Sequence, residues 1–468
     1  MYETRKNSIL IPLLLGCCLL SGCKSSSYKE ALALYEQGSY EAAIPIFQEL
    51  EEYKDAQAYL LSAEQALSYR NALALMETHQ YREALPLLEA LGDYEDARKY
   101  LDQAQQEVSY QDAMACLEKG DYEAAISLFD SLGDFQDAQA RKDQAEQAFA
   151  YDTAAHLESE GSLGKAAIAF GKLAGYADAR ERSLALWDQV AVRETISAGF
   201  WYTVGLKEDG TVVAVGNNHC GQCDVSTLQD VIAVSAGNDH TAVLHSDGTV
   251  EIVSNFSEYM DTSAWQDIVA IASGNNYVVG LKLDGTVVAV GSNVFEECEV
   301  SGWTDIVAVS AALGYTVGLR SDGTLVATGR NGAFDLEQLN WTDITAISAG
   351  CCTLLGLKAD GTAVFHSYDP FTFAPSQWTD LIAISADQEI ILGLKSDGTV
   401  IIATNDSEYI RDEISYVLKT APNWKNVVAV SAGATHIVGL TADGTVLAAG
   451  NNMDGCCNVS NWRDIKCP

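Results

Sequence analysis

The sequence predicts a multidomain protein in which α-helical hairpin repeats are followed by an all-β domain, a seven-bladed β-propeller. Two periodicities predict this architecture. A period of 41 residues holds over four copies in residues 28–190, and the tripeptide Asp-Gly-Thr occurs seven times in residues 191–468. A third feature is the apolar segment ahead of the repeats, which indicates a targeting segment at residues 1–22 and a short tether at residues 23–27.

The first 22 residues have the pattern of a secretory signal peptide. Arg5 and Lys6 precede an apolar run at residues 9–20, which is shorter than the roughly 20 residues that span a bilayer. The next residues read Leu-Ser-Gly-Cys up to Cys23 and resemble the lipobox of bacterial lipoproteins. The resemblance implies that Cys23 becomes the first mature residue and carries acyl chains such as palmitate. The protein would then sit on the outer side of the bacterial cell membrane. The alternative is an ordinary cleaved signal with an unrelated cysteine.

The chain is strongly acidic, with a formal net charge of −37 at pH 7. Phosphate backbones and anionic lipid headgroups repel such a chain. Nucleic acid is therefore excluded as a partner, and membrane attachment has to come from the lipid anchor. The charge keeps a long repeat protein soluble and favours basic or cationic partners.

Each 41-residue unit predicts a helical hairpin. Alanine recurs where two helices approach closely, glycine where a helix ends in the left-handed conformation, and aspartate where the next helix begins. The recurring positions are Tyr28, Tyr69, Tyr110 and Tyr151; Gly38, His79, Gly120 and Gly161; Ala43, Ala84, Ala125 and Ala166; Asp55, Asp96, Asp137 and Asp178; and Ala56, Ala97, Ala138 and Ala179. A unit of this kind buries its apolar face only against its neighbours.

Residues 35–47, Tyr-Glu-Gln-Gly-Ser-Tyr-Glu-Ala-Ala-Ile-Pro-Ile-Phe, resemble the tetratricopeptide repeat, and so do their counterparts in the other units. The unit departs from that family in its greater length. The resemblance implies a surface that holds peptides or partner proteins. The alternative is a spacer that lifts the following domain off the membrane.

The second half of the chain predicts four short β-strands per unit. Each Asp-Gly-Thr lies between two apolar, β-rich runs, such as residues 202–207 and 212–216, and this arrangement is typical of a hairpin turn. A third run ends upstream in Ser-Ala-Gly or a variant, as at residues 232–237. A short fourth run follows downstream, as at residues 221–226. Seven such units form a ring of blades.

A tryptophan precedes most of these units and is predicted to pack between blades. The positions are Trp265, Trp303, Trp341, Trp378, Trp424 and Trp462. Trp462 begins an eighth unit that the sequence does not continue, which predicts that the two ends of the domain meet to close the ring.

The repeated text has the form DIVAVSAGxxHTVGLKxDGTVVAVGxNxxGQC and resembles the regulator of chromosome condensation family of propellers. That family's eukaryotic namesake is a nucleotide-exchange factor on chromatin, a role that an acidic, exported chain does not share. Secreted bacterial members, including a propeller that inhibits β-lactamases, are the more relevant resemblance. They imply protein binding through loops on one face.

No residue pattern predicts catalysis, a metal site or a cofactor. Cys220 and Cys223 form a Cys-x-x-Cys pair, but Cys223 shares its repeat position with cysteines of other blades, and no second ligand recurs beside Cys220. These cysteines are therefore predicted to be structural. Hairpin turns account for the recurring aspartates, and no nucleophile, zinc-binding or phosphate-binding motif is present. We expect a protein that is not an enzyme.

One face of the propeller is predicted to carry the binding site. In a blade of four antiparallel strands, the first-to-second and third-to-fourth connections lie on the same face, and here they vary between units. They carry the aromatic candidates Phe200, Trp201, Phe256, Tyr259, Phe295, Phe334, Tyr368, Phe371, Phe373 and Tyr409. Aromatic residues dominate binding hot spots, and their acidic neighbours suit a basic partner. The alternative is that these rings fold inward and cap the blades.

These patterns favour a membrane-tethered, extracytoplasmic adaptor or scaffold. It would bind a protein partner through this propeller face, and the helical repeats are a second candidate surface. A glycan-binding surface protein is the alternative, because exposed aromatic rings beside carboxylates also suit sugars. An envelope hydrolase or lyase with a site on the propeller axis is a third class.

Overall fold

The computed structural model describes residues 12–468 except 330–340, 352, 368–376, 388–389 and 405–420, and it describes side chains from residue 24 onward apart from Pro422. Within these residues the chain has nine α-helices followed by seven three-stranded antiparallel sheets. This confirms the predicted fold class. The chain divides into two compact units, Met1–Phe149 and Ala150–Pro468. No helix among the described residues combines the length and the hydropathy needed to cross a bilayer.

Long and short helices alternate in the helical part of the chain. They are α1 (Pro12–Glu36), α2 (Tyr40–Leu50), α3 (Ala56–Glu77), α4 (Tyr81–Leu91), α5 (Ala97–Lys119), α6 (Tyr122–Leu132), α7 (Ala138–Ser159), α8 (Leu163–Lys172) and α9 (Ala179–Val190). Each long helix ends one repeat and begins the next. Residues 23–27, predicted as a tether, lie inside α1, because no proline or glycine follows Gly22 to end the helix.

The small recurring residues lie where the repeat pattern predicts them. Every alanine of the two alanine positions is fully buried, which lets the helices of a repeat approach closely. Gly38, Gly120 and Gly161 have φ angles of 76°, 77° and 79°, and His79 takes the same position with φ of 59°. The left-handed residue that ends each long helix is thus a property of the repeat.

The recurring aspartate does not cap a helix in the predicted way. Where the cap geometry of this position is defined, the aspartate carboxylate accepts no capping hydrogen bond. In the third and fourth repeats it accepts the hydroxyl hydrogen of the tyrosine that opens the repeat, Tyr110 with Asp137 and Tyr151 with Asp178. The aspartate therefore joins one long helix to the beginning of the next.

The propeller consists of seven sheets, each with three strands in sequential order. The strands are β1 (Ile196–Ala198), β2 (Tyr202–Leu206), β3 (Val212–Gly216), β4 (Val231–Ala236), β5 (Thr241–His245), β6 (Val250–Val253), β7 (Ile268–Ser273), β8 (Tyr277–Lys282), β9 (Val287–Gly291), β10 (Ile306–Ala312), β11 (Tyr315–Arg320), β12 (Leu325–Gly329), β13 (Ile344–Ala349), β14 (Thr353–Lys358), β15 (Ala363–Ser367), β16 (Leu381–Asp387), β17 (Ile390–Lys395), β18 (Val400–Thr404), β19 (Val427–Ala432), β20 (His436–Thr441) and β21 (Val446–Gly450). The first strand of each blade lies nearest the axis.

The fourth strand that the sequence predicts is not formed in the described parts of the blades. Residues 221–226, predicted as such a strand, form turns. Gly221 has a φ of 75°, and the side-chain oxygen of Asn218 accepts the Cys223 N–H at 2.8 Å. This side-chain bond closes the loop and takes a backbone donor that a strand would need for pairing.

Every Asp-Gly-Thr forms the predicted hairpin turn between the second and third strands. In the first blade, Asp209 Oδ1 accepts the N–H and the hydroxyl of Thr211 at 3.0 and 2.6 Å, and Gly210 has a φ of 79°. The Gly210 carbonyl accepts the N–H of Val231, the first residue of the next blade, at 3.1 Å. The Asp-Gly-Thr turns and the tryptophan segments therefore lie together, at what we name the scaffold end of the propeller.

Each tryptophan packs over a glycine on the second strand of the blade that follows it. A Cβ at Gly318 would lie 2.9 Å from ring carbons of Trp303. In the second blade, Leu228 replaces the tryptophan and Val243 replaces the glycine, so a smaller side chain packs over a larger one. The remaining pairs are Trp265 with Gly280, Trp341 with Gly356, Trp378 with Gly393, Trp424 with Gly439 and Trp462 with Gly205. These residues are structural, as predicted.

The ring is closed by the C-terminal residues. Trp462 packs over Gly205 of the first blade, and the Lys466 N–H donates to the Leu206 carbonyl at 2.9 Å. β1 lies beside β19 of the seventh blade. The two ends of the propeller therefore meet, as the unfinished eighth unit predicts.

Serines of the first strands join neighbouring blades around the axis. Each serine Oγ accepts a backbone N–H of the next blade at 2.9 to 3.0 Å. The pairs are Ser431 with Ala198, Ser197 with Ala236, Ser235 with Ser273, Ser310 with Ala349, Ser348 with Ala386 and Ser385 with Ala432. The third blade has Ala272 at this position, so its junction with the fourth blade lacks the serine.

The fourth helical repeat packs on the scaffold end of the propeller, inside the unit Ala150–Pro468. Gly171 of α8 lies so close to Leu283 that a Cβ there would be 2.2 Å from the Leu283 carbonyl oxygen. The indole N–H of Trp187, which is fully buried in α9, donates to the same oxygen at 2.9 Å. An ion pair between Arg180 and Asp267 at 2.5 Å lies beside this contact.

Candidate functional site

The first-to-second turns and the loops after the third strands lie together, opposite the scaffold end. In the first blade the Asn217 N–H, just after β3, donates to the Trp201 carbonyl in the first turn at 3.0 Å. The equivalent bond joins Ser292 to Asn276 at 2.8 Å in the third blade. We name this end the variable face.

The loops after the third strands share one frame in blades one, three and seven. In each, an asparagine side-chain oxygen accepts a backbone N–H five residues later, and its amide donates to a side chain six residues later. The sets are Asn218, Cys223 and Asp224; Asn293, Cys298 and Glu299; and Asn452, Cys457 and Asn458. The frame fixes the loop backbone, so the residues at the loop tip are free to vary without changing the fold.

The tips of two of these loops, in blades three and seven, present apolar side chains to solvent. Val294 is 80% exposed and Met453 is 88% exposed. Sequence reasoning missed both because it searched these loops for aromatic residues. The available signal was their position, since they occupy the variable tip between two positions that recur in three blades.

The structure shows the predicted aromatic residues in different settings. Trp201 is 43% exposed and Tyr259 is 70% exposed, and Phe256 is also exposed. Phe200 is half-buried and makes an edge-to-face contact with Trp201, with ring centroids 4.4 Å apart. Phe295 is exposed on one side and lies on its other side against Gly314 of the next blade. Phe334, Tyr368, Phe371, Phe373 and Tyr409 lie outside the described residues, as does the side chain of Cys23.

The exposed apolar residues lie on four neighbouring blades. The Asn255 N–H of the second blade donates to the Cys220 carbonyl of the first at 2.6 Å, which brings their loops together. On the other side, the Asn217 amide of the first blade donates to Asp454 of the seventh at 3.4 Å. Trp201, Phe256, Tyr259, Val294, Phe295 and Met453 therefore form an arc over blades seven, one, two and three.

Charge is divided between the two ends of the propeller. Among the described residues, the lysines and arginines after residue 200 lie in the Asp-Gly-Thr hairpins, in the tryptophan segments or in the C-terminal residues beyond Trp462. The described loops of the variable face carry acidic residues instead, including the exposed Glu258, Glu296 and Asp454. The arc of apolar residues is thus surrounded by negative charge.

The turns of the variable face are held by buried tyrosines that reach from blade to blade. The Tyr277 hydroxyl donates to the Tyr315 carbonyl at 2.5 Å, and the Tyr315 hydroxyl donates to the Thr353 carbonyl at 2.9 Å. Burial raises the pKa of Tyr277, so the hydroxyl stays protonated. His240 occupies the same position in the second blade, and burial lowers its pKa to about 4. These groups stabilise blade contacts and are poorly placed for proton transfer.

The recurring cysteines are thiols with a structural contact. The Cys223 thiol donates to the Asn217 carbonyl at 3.3 Å, and the Cys298 thiol donates to the Ser292 carbonyl at 3.2 Å. Burial raises the pKa of both thiols to about 12, so neither supplies a thiolate near neutral pH. Within the described part of the chain, no three His, Cys, Asp or Glu residues are grouped in a way that could hold a metal ion.

The fold and this face define a repeat-built β-propeller with variable loops at one end and an N-terminal segment of helical repeats. The chain matches the model of the regulator of chromosome condensation (RCC1) repeat at residues 194–222 and 427–456. These two segments belong to the first and seventh blades, which meet where the ring closes. The propeller therefore has an RCC1-type fold.

Several solved structures are similar to this chain. The CRINKLY WD40 ectodomain of the receptor kinase ACR4 from Arabidopsis thaliana is 16% identical, with 57% of this chain and 99% of that chain covered and a TM-score of 0.47. Prp20p from Saccharomyces cerevisiae, described with its binding properties to Gsp1p and histones, is 16% identical over 58% of this chain and 75% of its own, with a TM-score of 0.32. BamB from Moraxella catarrhalis is 12% identical over 55% and 81%, with a TM-score of 0.28. No curated protein sequence matches the chain.

Proposed function

We propose that this protein is a membrane-tethered, extracytoplasmic adaptor that binds a protein partner through the variable face. The main support is the arc of exposed apolar side chains on that face: Trp201, Phe256, Tyr259, Val294, Phe295 and Met453. Soluble proteins rarely expose apolar side chains together, and patches of this kind with a polar rim mark interaction sites. Function here rests on this site and not on the fold, since one fold serves many functions.

The partner has an apolar contact patch bordered by basic residues. Opposite charges on the rims of two binding surfaces accelerate their association and disfavour acidic competitors. These charges add less to the final affinity than the apolar centre does. The acidic rim of the variable face therefore selects a basic surface, and the aromatic and aliphatic arc supplies the stable contact. Added salt should lower the association rate constant of the partner more than it raises the dissociation rate constant.

A binding role is also supported by what the polar groups of the described blades do. The Asp-Gly-Thr carboxylates accept hydrogen bonds within their own turns, which lowers their pKa values, as at Asp209 and Asp247. The Cys223 and Cys298 thiols are protonated, and His240 is neutral at physiological pH. No described pair of these groups combines a nucleophile with a base, so we propose binding and not turnover as the activity.

The decisive experiment compares partner capture by the parent chain and by a Trp201→Ala/Tyr259→Ala variant, using detergent extracts of the cell envelope. We expect capture to weaken roughly tenfold or more, where each tenfold is about 1.4 kcal/mol. Phe149→Ala is the matched control, because Phe149 is a 41% exposed aromatic residue in the helical unit. Unchanged partner capture by the double variant, or loss of capture with Phe149→Ala alone, would indicate that the partner binds to the helical repeats. A glycan-array signal lost with Trp201→Ala would support the glycan alternative.

The tether is proposed to be a lipid on Cys23, supported by the lipobox-like sequence that ends there. Mass spectrometry of the mature protein should find Cys23 as an acylated N-terminus, and Cys23→Ala should leave an unprocessed or released protein. Ser25→Ala is the control that should change neither. An unmodified mature N-terminus at another residue would contradict this proposal.

A further inference from the structure

A lumen of about 1220 Å³ runs along the propeller axis. Its wall is made by the first strands of the seven blades, each of which pairs with another strand on one side only. The side chains of these strands that line it are mostly alanine and serine. Small-molecule sites commonly occupy roughly 300–1,000 Å³, so the lumen is large enough for an organic ligand.

The linker between α9 and β1 passes through the scaffold end of this lumen. The Glu194 carbonyl accepts the Val234 N–H at 2.9 Å, and the Thr195 carbonyl accepts the Leu206 N–H at 2.7 Å. These bonds fix the linker backbone against the first and second blades. The Glu194 side chain lines the lumen as a result.

The Glu194 carboxyl lies in a site that disfavours its charge. Its side chain is exposed within the lumen, whose walls are formed by the surrounding blades. Burial raises the pKa of Glu194 to about 7, and a hydrogen bond from Ser197 acts weakly in the opposite direction. No cation among the described residues lowers this pKa.

The arginines that line the lumen are already paired with other acids. Arg180 pairs with Asp267 at 2.5 Å, and Arg193 pairs with Asp188 at 2.5 Å. Lys466 also lines the lumen but does not contribute to the pKa of Glu194. Among the described residues, no cation is therefore placed to pair with the Glu194 carboxylate.

A further observation points to an organic ligand at this place. Leu184, Val192 and Ile382 expose apolar surface in the same lumen.

We infer that the lumen binds a small organic cation, a primary or secondary amine on an apolar body, whose ammonium group pairs with the Glu194 carboxylate. The ammonium N–H groups donate to the carboxylate. The apolar body contacts the exposed aliphatic side chains and the alanine-rich wall. A charge pair in a partly desolvated site is stronger than one in bulk water, which favours the amine over its neutral analogue.

The test is isothermal titration calorimetry of the full chain with phenethylamine, its neutral analogue 2-phenylethanol and the anion 3-phenylpropanoate. We expect phenethylamine to bind at least tenfold more tightly than either analogue, and Glu194→Gln to remove that preference. Glu208→Gln is the matched control, because Glu208 is an exposed glutamate of the first blade outside the lumen. It should leave amine binding unchanged.

Three results would overturn the inference. They are the absence of phenethylamine binding at millimolar concentration, equal binding of the neutral analogue, and amine binding that survives Glu194→Gln. The last would indicate attraction to the acidic surface as a whole. The Trp201→Ala/Tyr259→Ala variant should bind the amine as tightly as the parent chain does. The amine site and the proposed partner-binding face are therefore tested independently. A carboxyl signal of Glu194 that moves on amine addition, measured by NMR on the parent chain, checks the contact without any substitution.

Discussion

The fourth helical repeat has the same hairpin pattern as the third, and it carries residues that pack on the propeller. Both keep the buried alanines, the left-handed glycine and the aspartate bonded to tyrosine. They differ on the outer helix surface. Gly164, Ile168, Gly171, Ser183 and Trp187 of the fourth repeat stand where the third has Glu123, Ser127, Asp130, Lys142 and Glu146.

This difference teaches that folding and docking depend on different positions of one repeat. The buried positions form the hairpin in every copy, and the outer positions decide whether that hairpin stays solvated or packs on another domain. The propeller shows the matching change at Leu283, which precedes the third Asp-Gly-Thr where other blades have a polar residue or alanine. The fourth repeat packs at the scaffold end and so does not cover the variable face.

The largest effect is expected from Gly171→Asp, which places the aspartate of the third repeat on the helix surface that packs on the propeller. A side chain at this position meets the Leu283 backbone and buries a charge, which should lower the unfolding free energy of residues 150–468 by about 3–5 kcal/mol. Calorimetry that separates the transitions of the two compact units is the measurement. Asp130→Gly in the third repeat is the control and should cost about 1 kcal/mol, through the lower helix propensity of glycine. Equal small losses in both variants would show that Gly171 is not a docking residue.

A smaller loss is expected from Leu283→Ser, which gives the third blade the residue type of its neighbours. Leu283 is 2% exposed under the fourth repeat, so the lost apolar burial and the cavity should cost about 2–4 kcal/mol. The matched change in the fourth blade is Ser321→Ala, at a half-buried residue of the equivalent turn. It should change the unfolding free energy by no more than about 0.5 kcal/mol. Chemical denaturation of each variant gives the comparison. Indistinguishable midpoints would contradict a special role for Leu283.

Trp187→Phe tests the hydrogen bond between the two domains with little change in shape. The Leu283 carbonyl would lose the indole donor while remaining buried, at a cost of about 1–2 kcal/mol. Glu146→Gln, at the equivalent position of the third repeat, should be close to neutral. Hydrogen exchange at the α8 and α9 amides should rise in the Trp187 variant alone. Unchanged exchange there would mean that the apolar contact is sufficient for docking.

The smallest effect is expected from Arg180→Gln, which removes the ion pair with Asp267. Both side chains are 39% exposed, so solvent screening limits the loss to about 0.2–1 kcal/mol. Molar salt should abolish the difference between this variant and the parent chain. A loss that persists in salt would show that Arg180 acts by packing, through its aliphatic stem.

Much of the fold could be predicted because its determinants are local and repeated. Seven Asp-Gly-Thr turns, each closed by its own aspartate and threonine, specify seven hairpins, and the 41-residue period specifies the helix pairs. The same repetition identified the face whose loops vary, because the residues that differ between units stand between positions that recur. Phe200 and Phe295 illustrate what the repetition could not decide, because their ring contacts depend on Trp201 and on Gly314 of the next blade.

The sequence by itself determined the class of each domain, the number of blades and the structural role of the tryptophans, because short-range turns and periodic burial act within a few residues. Only the tertiary structure decided that the fourth strands are replaced by loops, that the fourth repeat docks on the third and fourth blades, and that Glu194 lies in the axial lumen. Each of these depends on contacts between positions that do not recur, such as Trp187 with Leu283. Such contacts join residues far apart in the chain, and their energy exists only once both domains have folded.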